Sequence, residues 1–252
     1  AGRSVEVARA AGFDTVSIDL IYGLPGRGLD DWRRNLEAAL ALSPDHLSCY
    51  QLTVEPETFL GKMRARGELV ELADDDRAEF FLLTHRRLAE AGWPAYEVSN
   101  FAAGPEHRSA HNRKYWLHVP YLGLGPSAHS FDGERRWWNE RALRDYEAPV
   151  ARGERPIAGE ERLVPEQLAL ETVLLGLRTV DGIDRAAFRE SHGFDLVEAN
   201  PRLVDRETRT GRMVVEPDRL RLTLEGLAIA DGLAAEFDVG GAGGSRGTLG
   251  PS

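Results

Sequence analysis

From Thr15 to Thr53 the chain reads strand, helix, strand, and that order restricts the fold more than any other feature. TVSIDLIYGL at Thr15–Leu24 is a β-forming run closed by Pro25 and Gly26. Trp32, Leu36, Ala39 and Leu40 then recur on one side at helical spacing, with Asp30 or Asp31 expected as the cap and Ser43-Pro44 as the stop. LSCYQLT at Leu47–Thr53 is the second strand candidate. Two strands joined through a helix predict a right-handed parallel crossover, hence an α/β fold and part of a barrel with its chemistry at the C-terminal strand ends.

Further elements extend this pattern on both sides. Val5–Gly12 reads as the last turns of a helix closed by glycine, and because Ala1 is not an initiator methionine the chain is expected to begin partway through a domain. Glu57–Arg66 is moderately periodic, and Asp74–Ala91 is a stronger helix with Ala78, Phe81, Leu82, Leu88 and Ala89 toward the core. Asp74, Asp75 and Asp76 suit its positive end and are better read as dipole partners than as metal ligands. Tyr96–Phe101 is expected as a strand. Prolines and glycines among charges at 148–161 read as a linker between residues 1–147 and 162–238. Beyond it, Pro165–Leu177, Asp184–Glu190 and Leu196–Val204 are helical, Met213–Thr223 alternates like a hairpin, and Thr223 opens a last helix. Helices followed by a hairpin resemble a winged helix, a small α+β domain. The glycine-rich segment 239–252 is expected to be a disordered tail.

Charge and cysteine usage narrow the function. With 41 acidic against 31 basic residues the net charge of -10 repels phosphate backbones, so nucleic acid is not an expected partner. The chain shows neither an apolar run long enough to span a bilayer nor a signal segment. A single cysteine rules out an internal disulfide framework and fits a reducing cytoplasm.

The segment Tyr96–Ser130 has no clean period and concentrates unusual residues: YEVSNFA, HNRKYW at His111–Trp116, and YLGLGPSAHS. A neutral imidazole at His111 is a possible axial ligand for haem iron, with Arg108, Arg113 and Lys114 for its carboxylates and Tyr115 and Trp116 as a flat apolar surface. The same residues read as a local turn device followed by core aromatics. His129 is either a second axial partner or a structural histidine. GLGPSA lacks the strand-to-helix context of a dinucleotide loop. Arg135, Arg136, Trp137 and Trp138 are read as a packing surface. In the first strand, Val16, Ile18 and Leu20 share one face, and Ser17, Asp19 and Ile21 the other. If the first face packs on helices, Asp19 points into the interior, where a carboxylate needs a partner. A cofactor ribose is one candidate, and a salt bridge or exposure near the strand end is the other.

HNRKYW, with its two flanking blocks in the same order, is similar to the HNxxYW signature of the radical S-adenosylmethionine haem chaperones, called HemW, relatives of oxygen-independent coproporphyrinogen III oxidase. The resemblance runs from about the start to Phe237. It implies the C-terminal part of an incomplete radical S-adenosylmethionine (β/α) barrel, followed by the winged-helix-like domain. It implies haem ligation by His111, S-adenosylmethionine contact by Asp19 in IDLIYGLP, and a weaker place for Thr53 in the adenosyl pocket. Relatives of this class hold a [4Fe–4S] cluster on three closely spaced cysteines; here Cys49 stands alone, so the cluster is expected only with an upstream segment. The implied function is to bind haem and deliver it to haem-requiring proteins such as respiratory enzymes. Radical decarboxylation by a coproporphyrinogen oxidase and a cofactor-free partner-binding fragment are the alternatives. The oligomeric state is open, a homodimer being one arrangement.

Overall fold

The computed structural model describes residues 2–240. It falls into two compact units, Ala1–Arg108 and Ser109–Ser252. The expected tail lies outside the described residues from 241 onward.

In the N-terminal unit, α1 (Gly2–Ala10) ends in a double turn. Phe13 N–H donates to the Ala8 carbonyl and Gly12 N–H to that of Arg9, with Gly12 at φ +88°. That left-handed turn is the glycine closure the sequence predicts. β1 (Ser17–Tyr22), α2 (Leu29–Leu40) and β2 (His46–Gln51) form the expected unit, and β1 and β2 pair in parallel from Ser17↔His46 to Tyr22↔Gln51. The N-cap of α2 is Gly28, and Asp31 in the first turn accepts from its N–H at 3.4 Å. The aspartate expected as cap thus supports the cap from inside.

α3 (Phe59–Ala65) and α4 (Asp74–Glu90) follow, then β3 (Asn100–Ala102), which pairs antiparallel with β2. The strand expected over Tyr96–Phe101 shrinks to its end because Tyr96 N–H folds back onto the Asn100 carbonyl. In α4 the core face is Phe80, Thr84, His85 and Leu88, whereas Ala89 is exposed. The stripe turns from its expected position because a polar pair supplies part of the core: the Trp32 indole donates to Thr84 Oγ1 at 2.8 Å, and that hydroxyl donates to the Phe80 carbonyl at 2.6 Å. Around it pack Tyr22, Leu36, Leu47, Cys49, Leu88 and Phe101.

Replacing Thr84 by valine keeps the shape and leaves the buried indole N–H without an acceptor. Thr84→Val is expected to cost about 1–3 kcal/mol, and Thr84→Val with Trp32→Phe less than the sum of the two single changes. Urea denaturation of the four proteins checks this; additive costs would show the pair is uncoupled.

In the C-terminal unit, α5 (Ala110–Trp116) precedes the antiparallel sheet of β4 (His129–Phe131), β5 (Arg135–Asn139) and β6 (Ile157–Arg162), with α6 (Leu143–Ala151) between β5 and β6. The stretch expected as a linker therefore holds the end of α6 and most of β6. Its punctuating residues serve other ends: Pro149 sits within α6, and Gly159 admits the Trp138 ring, which a Cβ would meet at 2.5 Å.

α7 (Pro165–Leu177) occupies the span expected for it and buries Ala169, Val173 and Leu177. β7 (Ile183–Asp184) and α8 (Arg185–His192) follow, with Asp184 accepting from Ala187 N–H as the cap of α8. Asn200-Pro201 divides the next helical stretch into α9 (Leu196–Ala199) and α10 (Pro201–Arg209). β8 (Met213–Val215) and β9 (Arg219–Leu222) form the predicted hairpin, and β9 lies between β8 and β7. α11 (Leu224–Leu227) is capped by Thr223, and α12 (Ala230–Glu236) closes the unit. Among the described residues no helix is long and apolar enough to cross a membrane.

Candidate functional site

α5 carries the HNRKYW hexapeptide. Its N-cap Ser109 accepts from Asn112 N–H, which fixes the first turn and leaves His111 facing solvent. One turn on, Tyr115 meets the His111 ring edge to face, with centroids 5.1 Å apart. Tyr115 in turn touches Tyr121 at 4.8 Å, and Tyr121 is tied to Phe131 by a pair of backbone hydrogen bonds. An aromatic row thus anchors the exposed histidine to the sheet.

Among the described residues no hydrogen bond engages the His111 imidazole, and neither Arg113 nor Lys114 has an ion-pair partner. Leu117, Leu122 and Leu124 beyond the helix are 66%, 70% and 82% exposed. A free imidazole, unpaired cations and exposed apolar side chains therefore occur together in one short segment. Arg108 falls in the N-terminal unit, over the Tyr96 ring at 5.6 Å.

α5 ends on a histidine that sequence reasoning missed. Val119 N–H donates to the Lys114 carbonyl and His118 N–H to that of Tyr115, a closure that puts His118 at φ +52°. Glycine ordinarily takes that left-handed position. The imidazole offsets the strain: it stacks on Phe131 at 4.5 Å with rings 11° apart, and Nε2 meets Glu171 Oε2 at 3.0 Å. Arg136 binds the other Glu171 oxygen. Burial pushes the Glu171 carboxyl up, but hydrogen bonds from His118 and Arg136 outweigh it and hold the group below the usual range. A histidine in a left-handed turn has no sequence signature; the aromatic context of YWLH was the only clue.

The glycines of YLGLGPSAHS serve packing. A Cβ on Gly123 would lie 2.1 Å from the His129 carbonyl, and Gly123 N–H donates to Ser130 Oγ. His129 itself is exposed against Trp138 at 5.8 Å, and among the described residues its ring makes no hydrogen bond, so it is not the satisfied histidine expected. In the Arg-Trp cluster the Arg135 guanidinium lies over the Trp137 ring at 4.9 Å, a cation on an aromatic face rather than the packing surface expected.

In the N-terminal unit the helices cover one face of the sheet only. Ile18, Leu20 and Tyr22 face that core, while Ser17, Asp19 and Ile21 are exposed. Asp19 is thus a solvated carboxylate on an open face, the exposed one of its two readings. Beside it Ser17 Oγ contacts His46 Nδ1 at 2.8 Å, and His46 Nε2 contacts the Tyr96 hydroxyl at 2.8 Å. Burial lowers the His46 value, and nearby Asp19 opposes that shift. Thr53 is exposed just past β2. Asp19 and Thr53 belong to one unit and His111 to the other. Cys49 is buried, and burial followed by the Asp19 charge pushes its thiol up to about 12. Among the described residues no group of three or more His, Cys, Asp or Glu side chains is placed to hold a metal ion.

Residues 163–229 match the HemN C-terminal domain family. The chain is 38% identical over 224 residues to the heme chaperone HemW of Mycobacterium tuberculosis, covering 89% of this chain and 55% of that protein. It is 31% identical over 235 residues to HemW of Bacillus subtilis, covering 93% and 62%. The chain thus spans little more than half the length of the curated relatives it matches. Among solved structures, coproporphyrinogen III oxidase (HemN) from Escherichia coli, a radical SAM enzyme, superposes with a TM-score of 0.72 at 19% identity, covering 92% of this chain and 57% of that one. That likeness shows the fold: mixed helix and strand in the HemN arrangement.

Proposed function

Since the chain is a HemW-like relative of the radical SAM proteins, we propose that it binds haem through His111 and passes it to haem-requiring proteins in the cytoplasm. The observation that carries this reading is the His111 ring, exposed at the start of α5 and, among the described residues, free of hydrogen bonds, in a segment with exposed leucines where Arg113 and Lys114 find no ion-pair partner among those residues. Haem as cargo needs these three things: an axial nitrogen, cations for two propionates, and apolar contact for the ring. An exposed ligand also suits release, because a cargo held at the surface can be passed on without opening a core. The proteins that accept haem are the partners of this reading.

The open sheet face in the N-terminal unit supports a second part of the proposal. Asp19 offers two carboxylate oxygens, unpaired among the described residues, that can accept from the vicinal hydroxyls of a ribose, the group that S-adenosylmethionine would present, with Thr53 a weaker contact. Bound S-adenosylmethionine supplies a reductively cleavable sulfonium. A [4Fe–4S] cluster does not fit the residues present, because thiolates must hold it and Cys49 is single, buried and protonated far above neutrality. No radical step is therefore assigned to these residues.

Haemin titration followed at the Soret band tests the haem reading. His111→Ala is expected to take up one equivalent less than the parent under reducing conditions, with far-UV circular dichroism unchanged. Equal uptake by both removes His111 as a ligand, and no uptake by the parent removes the reading.

A further inference from the structure

A cavity of about 740 Å³ opens within the C-terminal unit, between the end of α5, α7 and α8. Its size falls among small-molecule sites, which run about 300–1,000 Å³. Two histidines line it, His118 and His192. Each has one ring nitrogen occupied and one left over. His118 Nε2 is held by Glu171 at 3.0 Å. His192 Nε2 meets Thr172 Oγ1 at 3.1 Å, and that hydroxyl already donates to the Leu168 carbonyl, so the imidazole must be the donor. Nδ1 of His192 then carries an unshared lone pair, and Nδ1 of His118 is the ring nitrogen that Glu171 does not engage. An imidazole whose far N–H is held by a carboxylate or hydroxyl is the arrangement that orients histidines toward metals.

The donor count decides which metal species fits. Two imidazoles are too few for a bare ion, and no third His, Cys, Asp or Glu joins them among the described residues. A porphyrin brings four nitrogens of its own, so haem iron asks the protein for only one or two ligands. The rest of the wall suits a flat apolar disc. Phe188 and Phe194 meet edge to face at 5.3 Å, and Phe188 also contacts the His192 ring at 4.5 Å. Trp116 lines the same cavity, and among the described residues its buried indole N–H meets no acceptor. Three carboxylates line the wall: Asp184 pairs with Arg219 and Glu134 with Arg162, which reduces the repulsion a propionate would meet, while Glu166 has no ion pair among the described residues.

We propose that this cavity is a second haem seat, separate from His111, in which His192 supplies the axial nitrogen and His118 the other imidazole of the wall. It rests on the reading that the chain binds haem. His118, Trp116 and His111 all belong to the one segment, yet His111 and Tyr115 share a face of α5 from which Trp116 is turned away. A solvent-facing histidine on α5 and a half-buried one on α8 give the chain a place to present haem and a place to keep it.

The test extends the haemin titration to His192→Gln, which retains a donor for Thr172 but offers no iron ligand, and to His111→Ala with His192→Gln. The seat predicts that His111→Ala still takes up haemin saturably, that the residual Soret band disappears in the double variant, and that added imidazole restores it there. A parent whose whole uptake is lost with His111→Ala overturns the second seat and leaves the His111 reading standing. Residual uptake that survives the double variant also overturns it. A parent that binds no haemin overturns both.

Discussion

Replacing Glu207 by alanine is expected to cost the C-terminal unit about 3 kcal/mol, toward the low end of what breaking a buried ion pair costs. Glu207 is fully buried in α10, and each carboxylate oxygen meets a guanidinium at 2.5 Å, Oε1 with Arg206 and Oε2 with Arg212. Neither arginine is itself buried, so removing the acid leaves them partly hydrated and limits the loss. Arg206 retains Glu236 at 2.6 Å, whereas Arg212 loses its side-chain partner. The hydrogen bond from Arg212, followed by that from Arg206, holds the folded carboxyl below its ordinary value despite burial. As pH falls, the unfolded chain therefore takes up the proton first. The stabilisation is complete above the unfolded value of about 4.3 and is lost as pH drops through the folded one. Urea midpoints at neutral and acid pH check this: the parent should converge on Glu207→Gln as the solution is acidified. Midpoints that differ by a constant amount at every pH would remove the charge from the explanation.

Gly182→Ala is expected to cost about 2–5 kcal/mol, combining left-handed strain with overpacking. Gly182 sits at φ +67°, where the chain turns from α7 into β7, and its N–H donates to Thr179 Oγ1 at 3.1 Å. A Cβ there would lie 2.3 Å from the Leu220 carbonyl and 2.5 Å from Arg221 Cβ, both on β9. β9 is the central strand of its sheet, so it has no free side toward which to move. Gly193 provides the comparison: it is also left-handed, at φ +82°, with nothing within 4 Å of a Cβ. Gly193→Ala should therefore cost only about 1 kcal/mol, the strain alone. Thermal denaturation separates the two; equal losses would mean that the approach of β9 contributes nothing.

What the sequence made legible follows a physical division. α7 was readable to its ends because its N1 proline and its apolar spacing act locally. The parallel pairing of β1 with β2 was readable because a strand, a helix and a strand in succession have few other solutions. The face of α4 was not, because Thr84 is buried for the sake of Trp32, a partner distant in sequence. For the same reason the strands around Pro156 and Gly159 looked like a linker: their reason for being there is the Trp138 ring across the sheet. Of the candidate site, His111 was visible through a motif. His118 and His192 were not, because what marks them is tertiary: a strained turn held by Glu171, and a hydroxyl on α7 that fixes a tautomer. The exposure of Asp19 likewise depends on which sheet face the helices leave open.

The solitary cysteine equips the N-terminal unit with its own chemical clock. Cys49 lies in β2 with only 2% of its surface accessible, between α2, α4 and the neighbouring strands, and its thiol is held protonated. A thiol reagent has no other sulfhydryl to attack anywhere in the chain. Every modification event must therefore wait for that core to open, and the labelling rate reports the opening of the core of the N-terminal unit. The opening of that core can be timed without introducing a probe.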